Sequence, residues 1–147
     1  MKKIYLSVVC LLISIPLIAQ LYVEPEKEVE CSVFLAKEGR GRAQQGLEIW
    51  DDYIFSCEDG GHVNIYDFKS ADPKPVAGFE LASSHPDNHV NNVCFGVETK
   101  RGASFPLLYI TNGKVGSELE WLCFVESITR RGKRFSSEIA QTIELDG

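Results

Sequence analysis

Residues 52–68, Asp-Tyr-Ile-Phe-Ser-Cys-Glu-Asp-Gly-Gly-His-Val-Asn-Ile-Tyr-Asp-Phe, place two short apolar runs on either side of a turn signal, Glu58-Asp59-Gly60-Gly61. About 55 residues later the same order returns, as Pro106–Thr111, a turn at Asn112-Gly113-Lys114, and Leu119–Val125. The flanks repeat too. Gly46–Trp50 precedes the first pair and Asn91–Gly96 the second, while Pro75–Leu81 and Ala140–Leu145 follow them. Runs rich in Val, Ile, Phe and Tyr and bounded by Gly, Asn, Asp and Pro are strand signals, and no stretch after residue 20 keeps a helical period. The spacing therefore predicts an all-β chain of two four-stranded antiparallel sheets, over residues 44–81 and 91–147, joined by a loop at 82–90. Leu107–Ile110 and Trp121–Val125 show little in-out alternation, which is the pattern of a sheet covered on both faces.

Ahead of the repeat, Lys2 and Lys3 precede an apolar run from Ile4 to Ile13, followed by Ser14, Pro16 and Ala19. This is the pattern of a secretory signal peptide over residues 1–19, with cleavage near Ala19, and the run is too short for a membrane span of about 20 residues. The expectation is an exported protein, in the periplasm or outside the cell, with no integral span after cleavage. Losing the two leader lysines takes the net charge from −6 to −8. An acidic chain argues against nucleic acid, whose phosphates are met by clustered Lys and Arg. The basic group singled out, Lys37, Arg40 and Arg42, lies among glycines and is expected to be a solvated loop. Within residues 20–43, Cys31–Ala36 has the composition of a lone strand.

The segment from Glu58 to Asp67 resembles the turn and third strand of a WD40-type β-propeller blade, with Tyr66-Asp67 where that family carries Trp-Asp. In the second unit Val125-Glu126 stands at the corresponding place. The chain is thus similar to a looser, quinoprotein-like relative of the repeat. Its leader, its Asn-rich innermost strand and its closing Gln141–Leu145 resemble exported propellers of Bacteroides-type bacteria. The resemblance covers about residues 43–147 and implies two propeller-type blades. Propellers close with four to eight blades, so the resemblance implies an incomplete propeller, either part of a longer chain or one unit of a homo-oligomeric ring.

Four cysteines follow the leader: Cys31, Cys57, Cys94 and Cys123. Export permits disulfides, and four cysteines allow three pairings. The last three lie in apolar strands without metal-ligand spacing, so buried free thiols are the favoured expectation. Ser84–Asn92 carries His85 and His89 around Asp87, with His89 placed to act as a base near neutral pH. Pro86-Asp87-Asn88 is turn chemistry, however, and no third ligand is identifiable, so no metal and no cofactor is expected. If Asn91–Phe95 is an innermost strand, then His89, Asn91 and Asn92, with Gln44 and Gln45 in the first unit, line one polar wall. Neutral amides there suit a polar, uncharged ligand such as a sugar. Trp50 and Trp121 are expected in the core and His62 at a turn. No nucleophile elbow, phosphate-binding Gly loop or zinc-protease motif is present. The leading expectation is a binding or scaffold module for a polar ligand or protein. A carbohydrate-active or quinoprotein-like enzyme and a non-functional remnant are the alternatives.

Overall fold

The computed structural model describes residues 43–145. The expected leader, the strand at 31–36, Cys31 and the cluster of Lys37, Arg40 and Arg42 lie outside those residues. Eight strands and no helix occur among the described residues. The first sheet is an antiparallel meander of β1 (Gln44–Trp50), β2 (Tyr53–Glu58), β3 (His62–Asp67) and β4 (Ala77–Glu80). The second repeats that order with β5 (Asn92–Phe95), β6 (Leu108–Thr111), β7 (Leu122–Arg131) and β8 (Arg134–Glu144). The two sheets pack face to face in the same order, β1 against β5 and β4 against β8. The described residues are therefore all-β, in two four-stranded antiparallel sheets, as the repeat predicts.

Two elements differ from expectation. The strand expected at Leu119–Val125 begins at Leu122 and runs on to Arg131, and its partner begins at Arg134 rather than Ala140. The result is a long hairpin turning at Gly132-Lys133. Gly132 takes φ 65°, the left-handed geometry that two-residue hairpin turns require. A bulge between Val125 and Glu126 resets the pairing partway along. The sequence from Glu126 to Ile139 is mostly polar and charged, so composition alone hides this strand.

The core follows from strand alternation. Phe55 and Cys57 of β2, Val63 and Ile65 of β3 and Phe79 of β4 point at Leu108 and Ile110 of β6, Phe124 and Ile128 of β7 and Phe135 of β8. Phe55 is the hub. Its ring meets Phe95 edge-on at 5.0 Å and Phe105 at 5.2 Å, while Phe135 stacks on Phe79 at 6.1 Å. Such pairs contribute about 0.5–1.5 kcal/mol each beyond the area they bury.

Carboxylates fix the register between the sheets. Glu126 of β7 is fully buried, and its two oxygens accept the backbone N–H groups of Ala82 (3.0 Å) and Ser83 (2.8 Å), just past β4. On the opposite edge, Glu48 of β1 accepts the N–H of Phe95 in β5 at 3.2 Å. A buried anion is tolerated when dipoles saturate it, and each of these bonds to a charged acceptor is stronger than a neutral one.

Three side chains depart from the expected core. Trp50 and Trp121 are 41% and 52% exposed, because Trp50 closes an edge strand at a hairpin turn and Trp121 sits in the loop before β7. Cys94 is exposed, since it alternates away from the inward-facing Val93 and Phe95. Cys57 and Cys123 are buried, and all three thiols are free. Burial, with the Glu126 carboxylate nearby, pushes the Cys57 thiol from 9.0 up to about 12.

Replacing Glu126 with Gln sets an amide N–H₂ against a backbone donor. We expect a loss of about 2–3 kcal/mol, read as a shift in urea midpoint, against almost none for Glu138→Gln on the exposed β8 surface. Thiol labelling of the single folded chain should reach Cys94 first and Cys57 last. The folded Cys57 pKa lies above its unfolded value, so its contribution is intact below pH 9 and is lost as pH rises toward 12. Wild type should lose about 1.4 kcal/mol per pH unit over that window relative to Cys57→Ala. Parallel alkaline curves for the two proteins would refute the assignment.

Candidate functional site

At one end of the sheets, three segments converge: the β2–β3 turn at 59–61, the linker from β4 to β5 at 81–91, and the β6–β7 loop at 112–121. The turn is built on Gly60 and Gly61, with φ 91° and 96°. Gly61 is further restricted by space, because a Cβ there would stand 2.8 Å from Ser84 Cα. The linker closes onto this turn through Leu81 N–H to Gly61 O (2.8 Å), Gly60 N–H to Asn88 O (2.7 Å) and Ser84 Oγ to Gly60 O (2.7 Å).

Two buried asparagines hold the rest. Asn88 donates from Nδ2 to Ser83 O at 2.9 Å and accepts the Val90 N–H at 3.1 Å. Asn112 accepts the N–H of His89 at 2.9 Å and donates to Ser117 Oγ at 3.0 Å. Between them Val90 is held at φ 47°, a conformation that a β-branched residue rarely adopts. Such strain costs about 1–3 kcal/mol and persists only where surrounding contacts over-determine it. Here the fully buried side chain and the asparagine bonds on either side supply that determination.

The three histidines of the chain gather here. His62 of β3 lies across the register from Glu80 of β4, with Nδ1 3.0 Å from Oε1. Ser84 Oγ is 3.3 Å from the other oxygen of Glu80. His85 Nδ1 accepts the N–H of Asp87 at 3.1 Å, which leaves its proton on Nε2. His89 Nε2 stands 3.7 Å from Asp59 Oδ1. Asp87 is paired with Lys114, whose hydrogen bond and charge hold its carboxyl below the ordinary 3.8. A cleft of about 220 Å³ opens among Asp59, Gly60, His62, Glu80, Ser84, His85 and Pro86. It is smaller than the pockets of about 300–1,000 Å³ that take drug-sized ligands and is lined with donors and acceptors, so it suits one small polar moiety.

Chemically, the cluster is arranged for hydrogen bonding. Ser84 bonds Glu80 and a carbonyl rather than an imidazole, so no nucleophile–base relay is formed. Among the described residues no group of three His, Cys, Asp or Glu side chains is placed to hold a metal ion.

The residues expected to form a polar wall separate into two groups. Gln44 and Gln45 open β1, Asn92 opens β5 and Asn91 precedes it, on edge strands so close that a Cβ on Gly46 would stand 2.8 Å from Val90 O. Gln44, Gln45 and Asn92 are exposed, and Asn91 is half-buried over Gly113. His89 instead turns into the loop cluster toward Asp59 and Asn112. Sequence reasoning missed Asp59, Glu80 and Ser84 as site residues and gave His62 only a turn role. The double glycine at 60–61 was the available signal, since it marks a turn approached closely by other backbone.

Asp87 supplies the site's acid response. Its folded pKa lies below the unfolded value, so its stabilisation is present above the ordinary carboxylate range and is lost as pH falls through the lowered value. Replacing Lys114 with Met should return the Asp87 carboxyl titration, followed by ¹³C NMR, toward 3.8. An Asp87 titration unmoved by the substitution would contradict the pairing.

No family model matches the chain, and no curated protein is significantly similar to it.

Proposed function

We propose that this chain contributes two blades to an exported β-propeller-type binding module, part of a longer or multi-copy propeller, which takes a polar ligand or protein at its histidine-bearing end. The observation that carries this reading is the in-order stacking of two sheets of identical strand order, first strand on first strand and last on last. Radial repetition of four-stranded sheets is built from that relation. The far face of the second sheet supports it, since the residues that alternate away from the core there, Cys94, Tyr109, Cys123 and Val125, are largely apolar, with Cys94 exposed and Tyr109 half-buried while Cys123 and Val125 are already covered. Such a surface favours a further sheet laid against it. The polar end adds the second half of the reading, because ligands of rigid β-scaffolds are met by the loops at the ends of the strands. Export rests on the leader pattern, and among the described residues no helix is long and apolar enough to cross a membrane.

Light scattering on chain recovered from an exporting host, with its N-terminus determined by mass spectrometry, tests the proposal. The expected N-terminus is Gln20, and the expected particle is an assembly larger than one chain that Cys94→Lys converts toward monomer. A stable folded monomer, unaltered by Cys94→Lys, would reject the propeller-type reading. Retention of Met1 would reject export.

A further inference from the structure

The opposite end of the sheets carries a different chemistry. There the turn of the β7–β8 hairpin brings Arg130, Arg131, Lys133 and Arg134 together within five residues of an otherwise acidic chain. Among the described residues none of the four has a carboxylate partner, although Lys100 beside them is paired with Glu138 at 2.8 Å. Sequence reasoning had placed the chain's basic group at Lys37, Arg40 and Arg42 and missed this one. Its signal is a hairpin rather than a loop: Arg-Arg-Gly-Lys-Arg between two strands.

Arg130 is held ready for a ligand. Its guanidinium carbon lies 5.0 Å from the centre of the Tyr53 ring and 5.8 Å from that of Phe135. Nε donates to Gly132 O at 2.8 Å, and the backbone N–H of Arg130 is fixed by Ser104 Oγ at 2.8 Å. With Nε engaged, the two terminal nitrogens remain as a planar fork, which matches a carboxylate in shape and charge. The side chain opens on a cleft of about 490 Å³ shared with Trp50, Asp51, Tyr53, Ser104, Phe105 and Gly132. Trp50, 41% exposed, supplies an aromatic face, and the exposed Asp51 supplies an acceptor. Asp51 takes φ 53° in the two-residue β1–β2 turn, the left-handed geometry that such turns require and Asp tolerates, which places its carboxylate at the rim.

We propose that this cleft binds a uronate-containing oligosaccharide, with a pyranose ring against Trp50, its carboxylate on Arg130 and its hydroxyls toward Asp51 and Ser104. The remaining cations raise the local concentration of a polyanion, a steering effect that weakens with salt. Aromatic face, planar cation and hydroxyl acceptors in one cleft distinguish this ligand from a nucleic acid, which the acidic chain as a whole disfavours. The site lies at the far end from the histidine cluster and does not rest on the function proposed above.

The test is a titration of the full chain with an oligogalacturonate, a neutral glucan of equal length and a single-stranded DNA of equal charge, by calorimetry and tryptophan fluorescence. Saturable binding of the oligogalacturonate alone is expected. Arg130→Gln and Trp50→Ala should each weaken it tenfold or more, and Arg130→Lys, which keeps the charge and the fold but loses the fork, at least fivefold. Lys133→Gln should weaken it two- to threefold. Failure of the uronate to bind overturns the proposal. So does equal binding of DNA, or a loss for Arg130→Lys no greater than for Lys133→Gln, since either result reduces the end to generic charge attraction.

Discussion

The grip of the Glu126 carboxylate on the N–H groups of Ala82 and Ser83 is the constraint on which the rest of the structure depends. A chain that leaves the last strand of one sheet and returns to begin the next beside β1 must turn with its backbone polar groups buried. Those groups need partners, because an unsatisfied donor in the interior costs more than a bond returns. The neighbouring sheet supplies a partner in Glu126, and Glu48 does the same for Phe95 at the other edge. Each carboxylate is satisfied only when strand faces strand in one register. The Phe55 aromatic hub then fills a gap whose shape those bonds have set.

The strand pairs were legible where apolar runs met turn chemistry, as at Asp59-Gly60-Gly61, because both the alternation and the need for positive φ are written in residue type. The β7–β8 extension was not. Arg130 and Phe135 face each other across that hairpin by ring stacking rather than by shared hydrophobicity, and Ser137 turns inward to bond Ala82 N–H at 2.8 Å. Neither signature resembles an apolar run. Trp50 and Trp121 were misplaced for a related reason, since a tryptophan closing an edge strand or standing in a loop has the same apolar neighbours in sequence as a buried one.

The polar end was legible only in part. The repeat fixes where the first strand of each unit begins, but the wall expected there divides, with Gln44 and Asn91 at the edge strands and His89 turned into the loop cluster. The pairing of His62 with Glu80 depends on how the loop at 68–76 returns the chain, and no spacing rule contains that length. The net charge was equally uninformative about distribution. The three histidines collect at one end, while among the described residues Arg130, Arg131, Lys133 and Arg134 lie without a carboxylate partner at the other, so a total of −6 says nothing of where the charges sit.

Beyond Glu126 the strand β7 has no β6 residue opposite it, and the tip is held through β8 and through Ser104, which bonds Ile128 O at 2.9 Å. The outer half of the hairpin is thus a cantilever rooted in the core but outside the ladder that stabilises it. Its exposed turn at 131–134 can diverge, or be exchanged by grafting, without repacking the interface between the sheets, whereas Ile128 and Phe135 behind it belong to that interface. The fold in this sense separates a part under strict geometric selection from one free to vary in what it recognises.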